Sequence, residues 1–146
     1  MVTHRPRPNG ANPGGTLFVT WRLSPGQEPL LPEERDLVLA VLERDQGKVG
    51  EISAAVVMDD HVHVVVGLAQ DRTIIKVMQA WKSISSHHLT RGCSRRAPVW
   101  QRGYFDRWLR SEERIRAAVA YILLTPERRW PNTGEYRWMI RPVRYR

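Results

Sequence analysis

Two histidines and one tyrosine carry the chemistry that this sequence could perform. His61 and His63 stand in the run Asp59-Asp60-His61-Val62-His63-Val64-Val65-Val66. Alternate side chains of a strand point to opposite faces, so both imidazoles share one face while Val62, Val64 and Val66 line the other. Two neutral imidazoles side by side form half a site for a divalent cation. Tyr121 lies far downstream beside an apolar stripe, with Arg114, Ala117 and Thr125 on its own helical face at three- and four-residue spacings. A phenol ionises only near pH ~10 and attacks poorly unaided. Mg²⁺ or Mn²⁺ held by the histidines would polarise a phosphodiester and stabilise the charge that develops on it. Together these residues describe phosphodiester cleavage through a covalent phosphotyrosine.

Each of them also has a plainer role. The histidines could simply be hydrogen-bonded on a polar sheet face, and Tyr121 could line a core. Asp59 and Asp60 suit a turn, or could supply a water-bridged carboxylate to a metal. His87 and His88 are adjacent, so a helix points them about 100° apart and at most one can face a site. Tyr104, Tyr136 and Tyr145 are the other phenols of the chain.

The charge distribution points to a polyanion. The chain has 146 residues and a formal net charge of +8, with Lys and Arg together numbering 23. Residues 1–90 hold 9 basic and 10 acidic groups, whereas residues 91–146 hold 14 and 5. Arginine forks onto phosphate and stacks on bases, so an Arg-rich, Trp-interleaved segment suits nucleic acid. An arginine bias spread over a solvated surface is the competing explanation. Arg95, Arg96, Arg102, Arg107, Arg110 and Arg114 are the expected phosphate-facing set. Gln101 and Trp100 could read or stack on a base, or Trp100 could pack the strand. The single Cys93 excludes an internal disulfide framework and any multi-cysteine zinc site. No apolar run approaches a membrane span, and Met1 to Gly15 has no apolar signal segment, so a cytoplasmic protein is expected.

The elements that must position these residues follow from periodicity. Residues 1–15 are expected to form a flexible arm, and residues 16–146 a single domain with a basic C-terminal tail. Strands are expected over 16–23, 52–58, 61–68 and 99–109, the last kinked at Gly103. Helices are expected from Pro32 to Asp45, from Arg72 to Leu89, and from an N-cap at Ser111 until Pro126 stops it. Six arginines from Arg128 on mark the tail, expected to drape over the domain. This order is the split βαβ plan of an α+β, ferredoxin-like (RNA-recognition-like) domain with an antiparallel sheet and one extra C-terminal helix. On that plan the histidines face the side of the sheet that its two crossover helices leave open.

Three blocks in order carry a family resemblance. Met58 to Val66 resembles the His-hydrophobic-His signature of single-tyrosine (HUH) transposases. Val99-Trp100-Gln101-Arg102-Gly103-Tyr104-Phe105-Asp106-Arg107-Trp108-Leu109-Arg110, followed by a helix with Tyr121-Ile122 and Pro126, resembles the same family. Phe18 to Leu23 and Lys82 are similar to the branch of REP-associated tyrosine transposases. The resemblance spans residues 14 to 140. It implies a nuclease that recognises a REP-like hairpin in single-stranded DNA, nicks beside it and rejoins strands, with a 5′-phosphotyrosine intermediate and a free 3′-hydroxyl. It implies His61 and His63 as metal ligands, Tyr121 as nucleophile, Thr125 as a third metal ligand and Lys82 as a DNA contact. It also implies association with the bacterial nucleoid, as homodimer or monomer. The chain departs from the pattern at Thr125, where relatives carry a better polar ligand. It departs again at Asp60, where Asn is usual, and at Trp138-Met139-Ile140. Two other readings stay open: a catalytically silent hairpin-binding protein of the same fold, and an RNA-recognition-like module using the open sheet face.

Overall fold

The computed structural model describes residues 15–143. The expected arm lies outside the described residues apart from Gly15, as does Tyr145. Eight elements follow in order: β1 (Thr16–Arg22), α1 (Pro32–Asp45), β2 (Gly50–Val57), β3 (His61–Leu68), α2 (Ile74–Gly92), β4 (Phe105–Trp108), α3 (Glu112–Arg129) and β5 (Met139–Ile140). The sheet runs β4-β1-β3-β2-β5, with every neighbouring pair antiparallel. The first four of these strands and the two crossover helices make the ferredoxin-like plan.

Alternation along β1 and β3 divides the core in two. Leu17, Val19, Trp21, Val62, Val64 and Val66 turn toward α1 and α2 and meet Leu42, Met78 and Trp81 there. Val62, Val64 and Val66 are fully buried, each worth roughly 1.5–3 kcal/mol. Phe18 and Val65 turn the other way, onto Ala118, Val119 and Ile122 of α3. The face that carries the histidines is therefore covered by α3, not open. That placement removes the free platform an RNA-recognition-like module would use, and sets the Tyr121 helix directly above His61 and His63.

Besides shifts of two or three residues at the ends of β2 and α2, three features differ from the expectations. The fourth strand is short because residues 99–104 are mostly irregular, with an isolated Leu23–Trp100 bridge just past the end of β1. Gly103 sits at φ +80°, the expected kink. Pro126 does not end α3, which runs three residues further. Proline removes the donor for the Ile122 carbonyl. Beside it, the Thr125 hydroxyl and Arg128 Nη2 both donate to the Tyr121 carbonyl, at 2.7 and 2.8 Å. The helix then closes with Trp130 N on the Pro126 carbonyl at 2.7 Å. The tail does more than drape. β5 pairs Ile140 with Ala55 on the outer edge of β2, and the Tyr136 hydroxyl donates to the Val57 carbonyl at 2.7 Å.

Candidate active site

The β1–β3 register sets Thr20 opposite His63 and Arg22 opposite His61. His63 Nδ1 lies 2.7 Å from Thr20 Oγ1, and His61 Nδ1 lies 2.7 Å from Asp60 Oδ1. The two Nε2 atoms converge at 3.1 Å. Burial works to raise the Asp60 carboxyl, but hydrogen bonds and charges from His61 and Arg129 outweigh it and hold the group below its usual range. An ionised carboxylate only accepts, so His61 carries its proton on Nδ1 and turns a lone pair outward at Nε2. His63 has two options. It can donate from Nε2 to His61 while accepting from the Thr20 hydroxyl. Alternatively it donates from Nδ1 to Thr20, and then both Nε2 lone pairs meet at one point.

That second arrangement is the one a divalent cation requires. Cis ligands of an octahedral ion at ~2.1 Å lie roughly 3 Å apart, close to the spacing here. Burial holds both imidazoles neutral, lowering His61 and pushing His63 down to about 3. Neutral rings are what a metal needs. The donor set fits the ion that the sequence implies. Among the described residues, no third His, Cys, Asp or Glu joins the pair into a cluster.

Tyr121 stands over this pair. Its ring centroid is 5.5 Å from that of His63 and 6.0 Å, edge-on, from that of Phe18. Its side of the helix is open, with 48% of the residue exposed. Arg128 holds its guanidinium 4.3 Å from the ring centroid. A cleft of about 470 Å³ opens beside Tyr121 and His63, with Arg107 and Arg114 at its mouth. One turn beyond, Thr125 is buried and gives its hydroxyl proton to the Tyr121 carbonyl, which leaves its oxygen lone pairs uncommitted.

The other expected contacts separate. Arg107 and Arg114 border the cleft, while Arg96, Arg102 and Arg110 are exposed outside it. Arg95 corrects an expectation. Its five donors are spent on Glu34 Oε1 and Oε2, Gln27 Oε1, and the Glu28 and Pro29 carbonyls. The hydrogen bond to Arg95 also holds Glu34 below its usual range. This arginine ties the 27–34 loop down and has nothing left for phosphate. Lys82 commits two of its three donors to the backbone. Its ammonium donates to the Gln101 and Gly103 carbonyls at 2.7 and 2.6 Å, on the face of the sheet opposite the histidines. Gln101 is drawn into the same tie, its backbone N–H donating to the Arg22 carbonyl.

Four further residues belong to the site: Phe18, Thr20, Arg128 and Arg129. Arg129 bridges Asp59 and Asp60 at 3.0 and 3.5 Å. Alternation alone places Phe18 and Thr20 on one face of β1. Only the register tells that this face meets His63.

Comparison with known proteins agrees with the geometry. The family model described as "Transposase IS200 like" matches residues 34–123, a span that holds His61, His63 and Tyr121. The chain belongs to the IS200-like transposase family. A solved structure described as "Structure of the REP associates tyrosine transposase bound to a REP hairpin" is similar to this transposase with a TM-score of 0.71. Identity is 23%, over 89% of this chain and 75% of that one, so the likeness is one of fold. No curated protein matches significantly in sequence. Among the described residues of the transposase, no helix is long and apolar enough to cross a membrane.

Proposed function

We propose that this transposase nicks and rejoins single-stranded DNA beside a hairpin, using Tyr121 as nucleophile. The observation that supports it most is the placement of a half-exposed tyrosine 5.5 Å, ring to ring, from a buried histidine pair with converging Nε2 atoms. His61 and His63 would hold Mg²⁺ or Mn²⁺, with Thr125 as the candidate third ligand. The bound ion would supply Lewis acidity at the scissile phosphate.

The chain's own residues supply the rest. Asp60 and Thr20 fix the two imidazoles through their Nδ1 atoms. Arg107 and Arg114 draw the phosphodiester backbone to the cleft mouth. Arg128 keeps a cation beside the phenol where the incoming phosphate arrives. Tyr121 Oη forms a bond to the 5′-phosphate, the P–O3′ bond breaks, and the phenolic proton leaves to solvent on the open side of the ring. The released O3′ takes up a proton as a free 3′-hydroxyl. Attack of a 3′-hydroxyl on the phosphotyrosine reverses the step and rejoins strands.

One observation favours a second reading, a hairpin binder of the same fold with weak or silent catalysis. The resemblance makes Thr125 the third-ligand position, where an amide or carboxylate oxygen would bind better, and its hydroxyl proton is engaged by the Tyr121 carbonyl. Incubation with labelled hairpin-bearing single-stranded DNA separates the two. A covalent band on a denaturing gel that needs Mn²⁺ and is lost with EDTA supports the nuclease. A native-gel shift with no covalent band under Mg²⁺ or Mn²⁺ supports the binder.

A further inference from the structure

The cleft beside Tyr121 is larger and more apolar than a phosphate contact requires. Its mouth carries Arg107 from β4 and Arg114 from the first turn of α3. Its floor is Phe18, Leu109 and Ala118, all buried and all apolar. A phosphate held by the two arginines would leave that floor without a partner. A flat aromatic ring would cover it. Arg107 already stands over the Phe18 ring, its Cζ 5.4 Å from the centroid, and a guanidinium plane is a stacking surface for a base. The volume of about 470 Å³ falls within the roughly 300–1,000 Å³ range of small-ligand sites.

The room itself is made by α3. The helix face between Arg114 and Tyr121 carries Ala117 and Ala118, the first exposed and the second buried. A larger side chain at 117, one turn before Tyr121 on the same helical face, would fill the space.

We infer that this cleft is a subsite for one unstacked nucleobase of a single strand, next to the phosphate that Tyr121 attacks. The inference rests on the proposed reading of Tyr121 as nucleophile, and adds a base-holding pocket to it. The lining holds no amide or carboxylate side chain, so the base edge meets no paired donor and acceptor. Stacking on a guanidinium and contact with an apolar floor accept any base.

The test is a titration of the full chain, ¹³C-methyl labelled at alanine and kept in EDTA, with a thymidine trinucleotide. The same trinucleotide with an abasic centre is the second probe. The Ala117 and Ala118 methyl resonances should shift saturably with the first, and affinity should fall about tenfold or more with the second. Ala117→Phe should abolish the discrimination between the two probes, and Arg107→Gln should weaken binding of the intact one. Equal affinity for both probes would mean a phosphate site only and would overturn the inference. So would shifts confined to other alanines, or an Ala117→Phe chain that discriminates like the original. Chemistry plays no part in this readout. Absence of the covalent band in the nicking assay would sink the nuclease and the cleft's place beside an attacked phosphate while the titration still reads base holding, whereas a failed titration beside a normal covalent band would sink the pocket alone.

Discussion

Arg129 reaches back from the last turn of α3 to Asp60, its Nη1 3.5 Å from the same Oδ1 that faces His61 Nδ1 at 2.7 Å. One carboxylate thus orients a histidine of the candidate metal pair and anchors the helix that carries Tyr121. Asp59 doubles the anchor at 3.0 Å. The turn between β2 and β3 is therefore the joint at which the two halves of the site are held together.

Arg129→Gln should loosen that joint at little cost in global stability. The arginine is substantially exposed, and such pairs contribute about 0–1 kcal/mol. The melting temperature should stay nearly unchanged, while amide exchange at the C-terminal end of α3 accelerates. Thermal melting checks the first, and hydrogen exchange read by mass spectrometry the second.

Asp60→Asn and Thr20→Val should each weaken metal binding without removing a ligand. Partners of the far ring nitrogen typically change affinity by about 10- to 100-fold. Asparagine can still accept from His61 but lacks the charge, so Asp60→Asn should fall toward the low end. Valine cannot bond His63 at all, which leaves its Nδ1 buried and unsatisfied. Calorimetric titration with Mn²⁺ measures both variants against the parent.

Stability in the absence of metal should decline in acid for a nameable reason. His63 is pushed down to about 3 from an ordinary 6.5, mainly by burial, and His61 is lowered in the same sense. Between those limits the unfolded chain takes up protons that the folded chain refuses. Stability is thus full above about pH 6.5 and is lost progressively as pH falls toward 3. Glu34 and Asp60, both held low, add to the loss once the ordinary carboxylate range is reached. Urea midpoints in EDTA should fall from pH 7 to pH 5, and His63→Gln should flatten that part of the curve.

Two kinds of arginine should part company in binding experiments. Arg95→Ala breaks a buried pair and should cost about 3–5 kcal/mol of stability, with no change in the salt dependence of DNA binding by the folded chain. Arg107→Ala and Arg114→Ala should leave stability nearly intact. Each should lower single-strand affinity and reduce the slope against log salt by about 0.7. Fluorescence anisotropy at several salt concentrations separates the two outcomes.

Much of this was legible in the sequence, and the residues that were not share a cause. The period-two run through His61 and Val66 gave the strand, its two faces and the shared side of the imidazoles, because alternation is local. Ser111 and Pro32 marked helix starts for the same reason. Arg95 misled because an exposed guanidinium and one forked onto a buried glutamate have the same letter. Its partners lie 61 to 68 residues away. Thr20 and Phe18 were missed because only strand register brings them to His63. Pro126 misled because the carbonyl beside its break is served by Thr125 and Arg128, contacts no propensity encodes. The two-residue β5 was invisible for want of length.

In the proposed reaction Tyr121 Oη becomes covalently joined to the 5′-phosphate of a nicked strand. The direct measurement is mass spectrometry of tryptic peptides from the transposase after incubation with hairpin-bearing single-stranded DNA and Mn²⁺. One nucleotidylated peptide is expected, that of Tyr121, absent from Tyr121→Phe and from EDTA controls. A linkage at Tyr104 or Tyr136, or bound DNA that leaves every tyrosine unmodified, would contradict it.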